Sequence, residues 1–275
     1  MQLQGAHVVV VGGSSGIGLA AAQLAKREGA TVTIAGRSSE RLAEAQRTLG
    51  EVRTVVADIA DEAAVQDIFQ GINRVDHVVI SAGTLGNGRI VQNDMATLRR
   101  IVDERLFGVV HVVRQAAPRM QQGSITCTSG SLSSRPRVGA AMFTAMLAAV
   151  EALTPALALE LAPIRVNVVT PGLIDTPLLA AAYGAERETL VKNRAAALPG
   201  KRIGTSAEVA QLMLMVMTNA YVNGAVLHVD GGDVFSNPYG ALCCVHNAPT
   251  SLHNPVKSRY SRPPPGVEPA RANAV

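Results

Sequence analysis

Residues 11–18 read Val-Gly-Gly-Ser-Ser-Gly-Ile-Gly and stand between an apolar run, Val8 to Val11, and a helix-like stretch. Gly12, Gly16 and Gly18 have the spacing G-x-x-x-G-x-G. Glycines let the backbone turn tightly and approach a pyrophosphate, and a helix starting near Gly16 would aim its free N–H groups and positive dipole end at that anion. A glycine pattern alone is weak. This one follows an apolar strand, opens a helix and begins a β-α-β pattern, which is the context a dinucleotide site requires. Gly12, Ser14, Ser15, Gly16, Ile17 and Gly18 are therefore candidate cofactor residues, the alternative being a plain strand–helix turn. The next candidate strand ends Ala35-Gly36-Arg37-Ser38. A site selective for NAD would carry a carboxylate there for the ribose hydroxyls. Arg37 instead offers a planar, permanently charged fork suited to a 2′-phosphate. The expected cofactor is NADP(H); the competing reading of Arg37 is a solvated surface arginine.

The elements that must position these residues alternate. Apolar runs at 6–11, 31–35, 53–57, 77–81, 124–128, 165–170 and 225–229 read as strands. Helical patterns fill the gaps at 16–28, 39–49, 62–70, 95–120, 139–161 and 207–218. Strands that are apolar throughout and separated by helices imply a parallel sheet covered on both faces. No internal repeat at solenoid periods is visible.

Composition narrows the class. A chain of 275 residues with 48% hydrophobic content can bury a sizeable core in one α/β domain. Net charge is +4, but the segment 236–275 carries Lys257, Arg259, Arg262 and Arg271 against Glu268, so the body is nearly neutral. A nucleic-acid partner is not expected. The same segment holds seven of the 14 prolines and reads as a disordered tail after a 1–235 domain. Cys127, Cys243 and Cys244 have no metal spacing, no metal site is expected, and a reducing cytoplasm is the default. The apolar stretch 138–162 is broken by Glu151, Pro155 and Glu160. It reads as a buried or interface helix, not a membrane span.

Taken in order, the motifs resemble those of the short-chain dehydrogenase/reductase family over roughly residues 4–235. Asp58 in Ala57-Asp58-Ile59 is similar to the family's adenine-contacting Asp. Ser81-Ala82-Gly83 matches the stretch beside the adenine ribose, with Ser in place of Asn. Asn167 and Pro171-Gly172-Leu173-Ile174-Asp175-Thr176 match the nicotinamide-side motif, and Asp230-Gly231-Gly232 the end of the last strand. The resemblance adds Asp58, Ile59, Ala82, Gly83, Pro171, Gly172, Ile174 and Thr176 to the cofactor residues. It implies a single Rossmann-type doubly wound parallel sheet with helices on both faces. It also implies a homodimer or homotetramer, with helix 139–161 at the dimer face.

The same resemblance makes the catalytic half unusual. The family uses a Tyr as proton donor, a Lys that lowers its pKa, a Ser that orients the carbonyl and an Asn that holds a water. Ala148-Ala149-Val150-Glu151-Ala152-Leu153-Thr154 matches the stretch after the Lys, which puts Leu147 at Lys and Phe143 at Tyr. The Ser position falls on Gly130, flanked by Ser129 and Ser131, and the Asn position on Arg105. Phe donates no proton and Leu carries no charge. Arg105, Ser129, Ser131 and Arg135 are the candidates to supply chemistry. Arginine is a poor proton donor, so the role expected of Arg105 or Arg135 is electrostatic; the alternative is a surface or dimer-face arginine. His111 reads as a core or interface residue and Tyr183 as packing, with a phenol from the lid as the sharper idea. Three functions compete. The first is an NADP(H)-dependent oxidoreductase acting on a small carbonyl, imine or enone. The second is a non-catalytic NADP(H)-binding or scaffolding protein. In the third the cofactor is structural and the pocket runs non-redox chemistry.

Overall fold

The computed structural model describes residues 2–86 and 88–236. The tail expected at 236–275 lies outside the described residues from position 237 onward. Seven parallel strands form the centre: β1 (His7–Val11), β2 (Thr31–Gly36), β3 (Arg53–Val56), β4 (His77–Ile80), β5 (Ser124–Thr128), β6 (Arg165–Pro171) and, after a two-stranded β7 (Ile174–Asp175)–β8 (Gly204–Thr205) pair, β9 (Val226–Val229). The order is β3-β2-β1-β4-β5-β6-β9. The order reverses between β1 and β4, and a doubly wound sheet opens its ligand crevice at that switch point, beyond the strand ends. In register, Val11 pairs with both Ala35 and Ile80, so the segments starting at Gly12, Arg37 and Ser81 leave the sheet side by side.

Each face of the sheet is covered because the strands are apolar on both sides. One layer is α1 (Gly16–Arg27), α2 (Ser39–Leu49) and α9 (Ser206–Thr218), which bury Ala21, Ala22, Ala25, Leu42 and Met213 against Val8, Val10 and Ile34. The alanines of α1 let it lie close to α9. The other layer is α3 (Glu62–Phe69), α5 (Gly108–Ala116) and α6 (Ala141–Glu160), which bury Ile68, Phe69, Val112 and Val150 against Val9, Val78 and Ile125. Although α6 is long and apolar enough to cross a bilayer by composition, Phe143, Leu147, Val150, Thr154 and Ala158 form a buried seam along it.

Two regions depart from the sequence expectation. The stretch 95–120 is not one uniform helix. It runs as α4 (Met95–Val102), a π-helical turn (Asp103–Phe107), α5 and a short 3-10 turn (Ala117–Arg119). The last turn contains Pro118, which cannot donate to the preceding helix. The stretch after Thr176 carries two further helices, α7 (Pro177–Tyr183) and α8 (Arg187–Ala197). Thr176 caps α7 by accepting from the Leu179 N–H at 3.3 Å, and Pro177 takes the first helical position.

Candidate functional site

The glycine turn is built for close approach. Gly12 has φ +92° and a side chain there would meet Ala82 N at 2.5 Å. A side chain at Gly18 would strike the Gly12 carbonyl and come within 2.5 Å of Ser81 Oγ. Gly12 and Gly13 donate to Ala35 O at 2.8 and 3.1 Å, which ties the turn to β2. Ser15 stands at the N-terminus of α1 without a side-chain cap, and the first turn has no acidic residue. The leading N–H groups of α1, at Gly16, Ile17 and Gly18, are thus left for an anion. Ser14 Oγ sits against Gly36, and Thr176 Cγ2 lies 3.3 Å from where a Gly16 side chain would start. The phosphate turn and the Pro171–Thr176 segment therefore face each other closely. Gly172 is in similar contact with Asp230 and could not carry a side chain either. Ile174 is fixed by pairing with Gly204. Asn167 is spent on the fold: its amide donates to Val222 O and accepts from Ala225 N.

At the other end of the crevice lies a charge network that the sequence did not reveal. Arg37 Nη1 is 3.1 Å from Glu104 Oε1, and Arg100 Nε donates to the same oxygen at 2.8 Å. Arg100 Nη2 reaches Asp58 Oδ2 at 2.5 Å. The second Glu104 oxygen accepts from Thr84 N at 2.9 Å and Thr84 Oγ1 at 2.6 Å. Burial opposes the Glu104 charge, but the two Thr84 donors and the two guanidiniums hold its carboxyl below the usual range. Asp58 is also held low: partial burial opposes its charge, and the Arg100 hydrogen bond and the Ala60 N–H outweigh that. Ile59 is buried under Gly108, and its carbonyl faces His111 Nδ1 at 3.3 Å, so His111 on α5 packs against the Asp58–Ile59 segment.

Of the four residues expected to supply chemistry, one faces the Phe143 ring. Arg105 Cζ lies 4.8 Å from the ring centroid. Its Nε and Nη2 donate to Thr84 O at 3.2 and 2.6 Å, and its guanidinium lies under Gly83, where a Cβ would meet Cζ at 2.7 Å. Burial pushes this guanidinium down to about 10, with Glu104 pulling the other way, so it stays a cation at neutral pH. Phe143 and Leu147 are buried in a cluster with Ile101, flanked by Leu85, Leu132 and Met146. The other three candidates are engaged elsewhere. Ser129 donates to Glu151 Oε1 at 2.6 Å, Ser131 to Asp233 Oδ2 at 2.8 Å, and Arg135 grips Asp233 and Ser236. Arg194 of α8 also pairs with Asp233, so one buried carboxylate joins the loop after β5, α8 and the last described turn. Tyr183 lies against Arg137, 5.7 Å from its Cζ. Among the described residues no group of three or more His, Cys, Asp or Glu side chains could hold a metal ion.

The sheet order, the glycine turn at its switch point and the segments that close on it define a dinucleotide-binding α/β protein. Comparison with known proteins narrows the class. A family model described as enoyl-(acyl carrier protein) reductase matches residues 11–233. The 3-oxoacyl-(acyl-carrier-protein) reductase FabG of Thermotoga maritima is 32% identical over 247 residues, covering 84% of this chain and 99% of its own. The short-chain dehydrogenase/reductase ucsE of Acremonium sp. is 30% identical over 251 residues, covering 83% and 95%. A solved small-chain dehydrogenase in complex with NADPH is 32% identical with a TM-score of 0.74, covering 85% of this chain and 100% of its own. The chain belongs to the short-chain dehydrogenase/reductase family, whose members are oxidoreductases that use nicotinamide cofactors.

Proposed function

We propose that this protein is an NADP(H)-dependent oxidoreductase with a non-standard active site, acting on a small carbonyl, imine or enone. The cofactor end fits the group. The cradle at Gly12 and Gly18 excludes side chains, α1 presents uncapped N–H groups, and Arg37 stands at the end of β2 with its side chain 52% exposed. When bound, the nicotinamide would supply or accept a hydride. The residues expected to hold it are Gly12, Ser14, Ser15, Gly16, Ile17, Gly18, Arg37, Asp58, Ile59, Ala82, Gly83, Pro171, Gly172, Ile174 and Thr176.

The observation that carries the catalytic part is Arg105. On the family alignment read from the sequence, Phe143 and Leu147 stand where the acid and its lysine would be. The Arg105 cation lies over that same phenyl ring. Its Nη1 makes no hydrogen bond within the described residues, which leaves one edge to polarise a substrate oxygen. A fixed cation stabilises developing negative charge without giving up a proton, which suits a substrate already activated, such as an iminium or a conjugated enone. The test is NADPH oxidation against a panel of carbonyls, imines and enones, with Arg105→Gln beside the wild type. Turnover that falls about 100-fold in the variant with NADPH affinity kept supports the reading. Turnover indifferent to Arg105 would refute the role given to it.

The second reading, a non-catalytic NADP(H)-binding protein, draws support from the apolar packing of Phe143 and Leu147 and from the engagement of Ser129, Ser131 and Arg135 by carboxylates. NADPH binding with no oxidation of any panel member would favour it. Under either reading we expect a cytoplasmic homo-oligomer, with the exposed apolar side of α6, including Leu159, as the contact.

A further inference from the structure

We infer that Glu104 is a specificity-determining residue for the cofactor: an internal anion that occupies Arg37 and so tempers the preference for NADP(H) over NAD(H). The inference rests on Arg37 being the 2′-phosphate ligand. The geometry is direct. Arg37 and Arg100 converge on one oxygen of Glu104, at 3.1 and 2.8 Å, while Asp58 takes the far end of Arg100. Two guanidiniums face two carboxylates, so this ion-paired cluster is nearly neutral where a 2′-phosphate would bring a charge of about −2. Glu104 is the buried member, 3% exposed, and Thr84 pins its other oxygen from both backbone and side chain. It cannot swing away when an anion arrives. Arg37 must then divide its donors between an anion that is always present and one that comes with the cofactor. A ligand without the 2′-phosphate does not enter this competition.

Removing the Glu104 charge should therefore raise the affinity for NADPH and leave that for NADH nearly unchanged. A unit charge a few ångströms from a partly exposed phosphate site is worth on the order of tenfold. The experiment is calorimetric titration of the full chain with NADPH and with NADH, read as the ratio of the two affinities. A merely structural defect would weaken both ligands and leave the ratio alone. Glu104→Gln is expected to raise the ratio about tenfold, and Glu104→Asp, which keeps the charge, to leave it near the wild-type value. An unchanged or lowered ratio in Glu104→Gln overturns the inference. Should Glu104→Gln not fold, Arg100→Gln decides, because that side chain is 43% exposed. Losing Arg100 leaves Arg37 as the one guanidinium in ion-pair contact with Glu104 among the described residues, so the ratio is expected to fall about fivefold; an unchanged or raised ratio overturns the inference. Arg37→Ala separates the two levels. If it leaves the ratio unchanged, the assignment of Arg37 fails on its own; if it lowers the ratio while Glu104→Gln does nothing, only the role of Glu104 fails.

Discussion

Leu147 is 1% exposed and packs with Phe143 and Ile101. On the proposed reading, this is how a lysine position becomes part of a hydrophobic core. Leu147→Lys should then not recover the family's chemistry. It would bury an ammonium in an apolar cluster whose Phe143 ring already faces the Arg105 cation, and such a charge costs several kcal/mol unless it is paired. We expect urea unfolding to show a loss of about 3 kcal/mol or more; a variant as stable as the wild type would contradict the packing described. The sequence reads Phe143 and Leu147 at the acid and lysine positions because the residues that follow them keep the family's spacing. It did not make the Arg105 contacts legible, since the Thr84 carbonyl lies 21 positions away and is aimed by the turn at Gly83, where φ is +136°. Glu104 is illegible for a different reason: in the run Asp103-Glu104-Arg105 it reads as a solvated charge, and the π-helical turn buries it.

Strands were easier to read than the segments between them, because an apolar run bounded by turns has few alternatives at these lengths. The π-helical turn carries neither Pro nor Gly, so no local signal marks it. Helices α7 and α8 lie in an Ala-rich stretch with weak patterning; a local cap from Thr176 starts α7, and the tertiary contact of Arg194 with Asp233 holds α8. That carboxylate is 3% exposed and also binds Ser131 and Arg135, which makes it the fastening of α8 to the loop after β5. Burial opposes its charge, but Arg194, Ser131 and Arg135 hold its carboxyl below the usual range. Asp233→Asn leaves two arginines without their counter-charge. We expect a loss of roughly 3 kcal/mol and faster proteolysis within 177–197 than elsewhere. Uniform protection of that segment in the variant would contradict the fastening.

Across the whole molecule the seven-stranded order follows from apolar strands alternating with helices, and it brings residues as distant as Gly12, Arg37, Asp58 and Thr176 to the C-terminal side of one sheet. The opposite side carries a titration that function does not need. Burial lowers the His77 ring to about 4, and it shares a hydrogen bond with Ser124 Oγ at 2.9 Å. A histidine kept neutral in the fold but free to protonate near 6.5 when unfolded makes the unfolded state bind the extra proton. Stability should therefore fall as pH drops from 6.5 to 4, His77 contributing about 3 kcal/mol that is absent in His77→Gln, while the His7 ring, also lowered by burial, adds a remainder that persists. Below that range the depressed carboxyls of Asp58, Glu104 and Asp233 extend the loss, because they must protonate as the chain unfolds. The most direct test of the account as a whole is a calorimetric titration of the wild-type chain with NADPH and NADH. The account predicts micromolar binding of NADPH and binding of NADH weaker by about tenfold or more, since one charged contact to the 2′-phosphate is worth about that much. Equal affinities would contradict the place given to Arg37, and no binding of either would contradict the cofactor site itself.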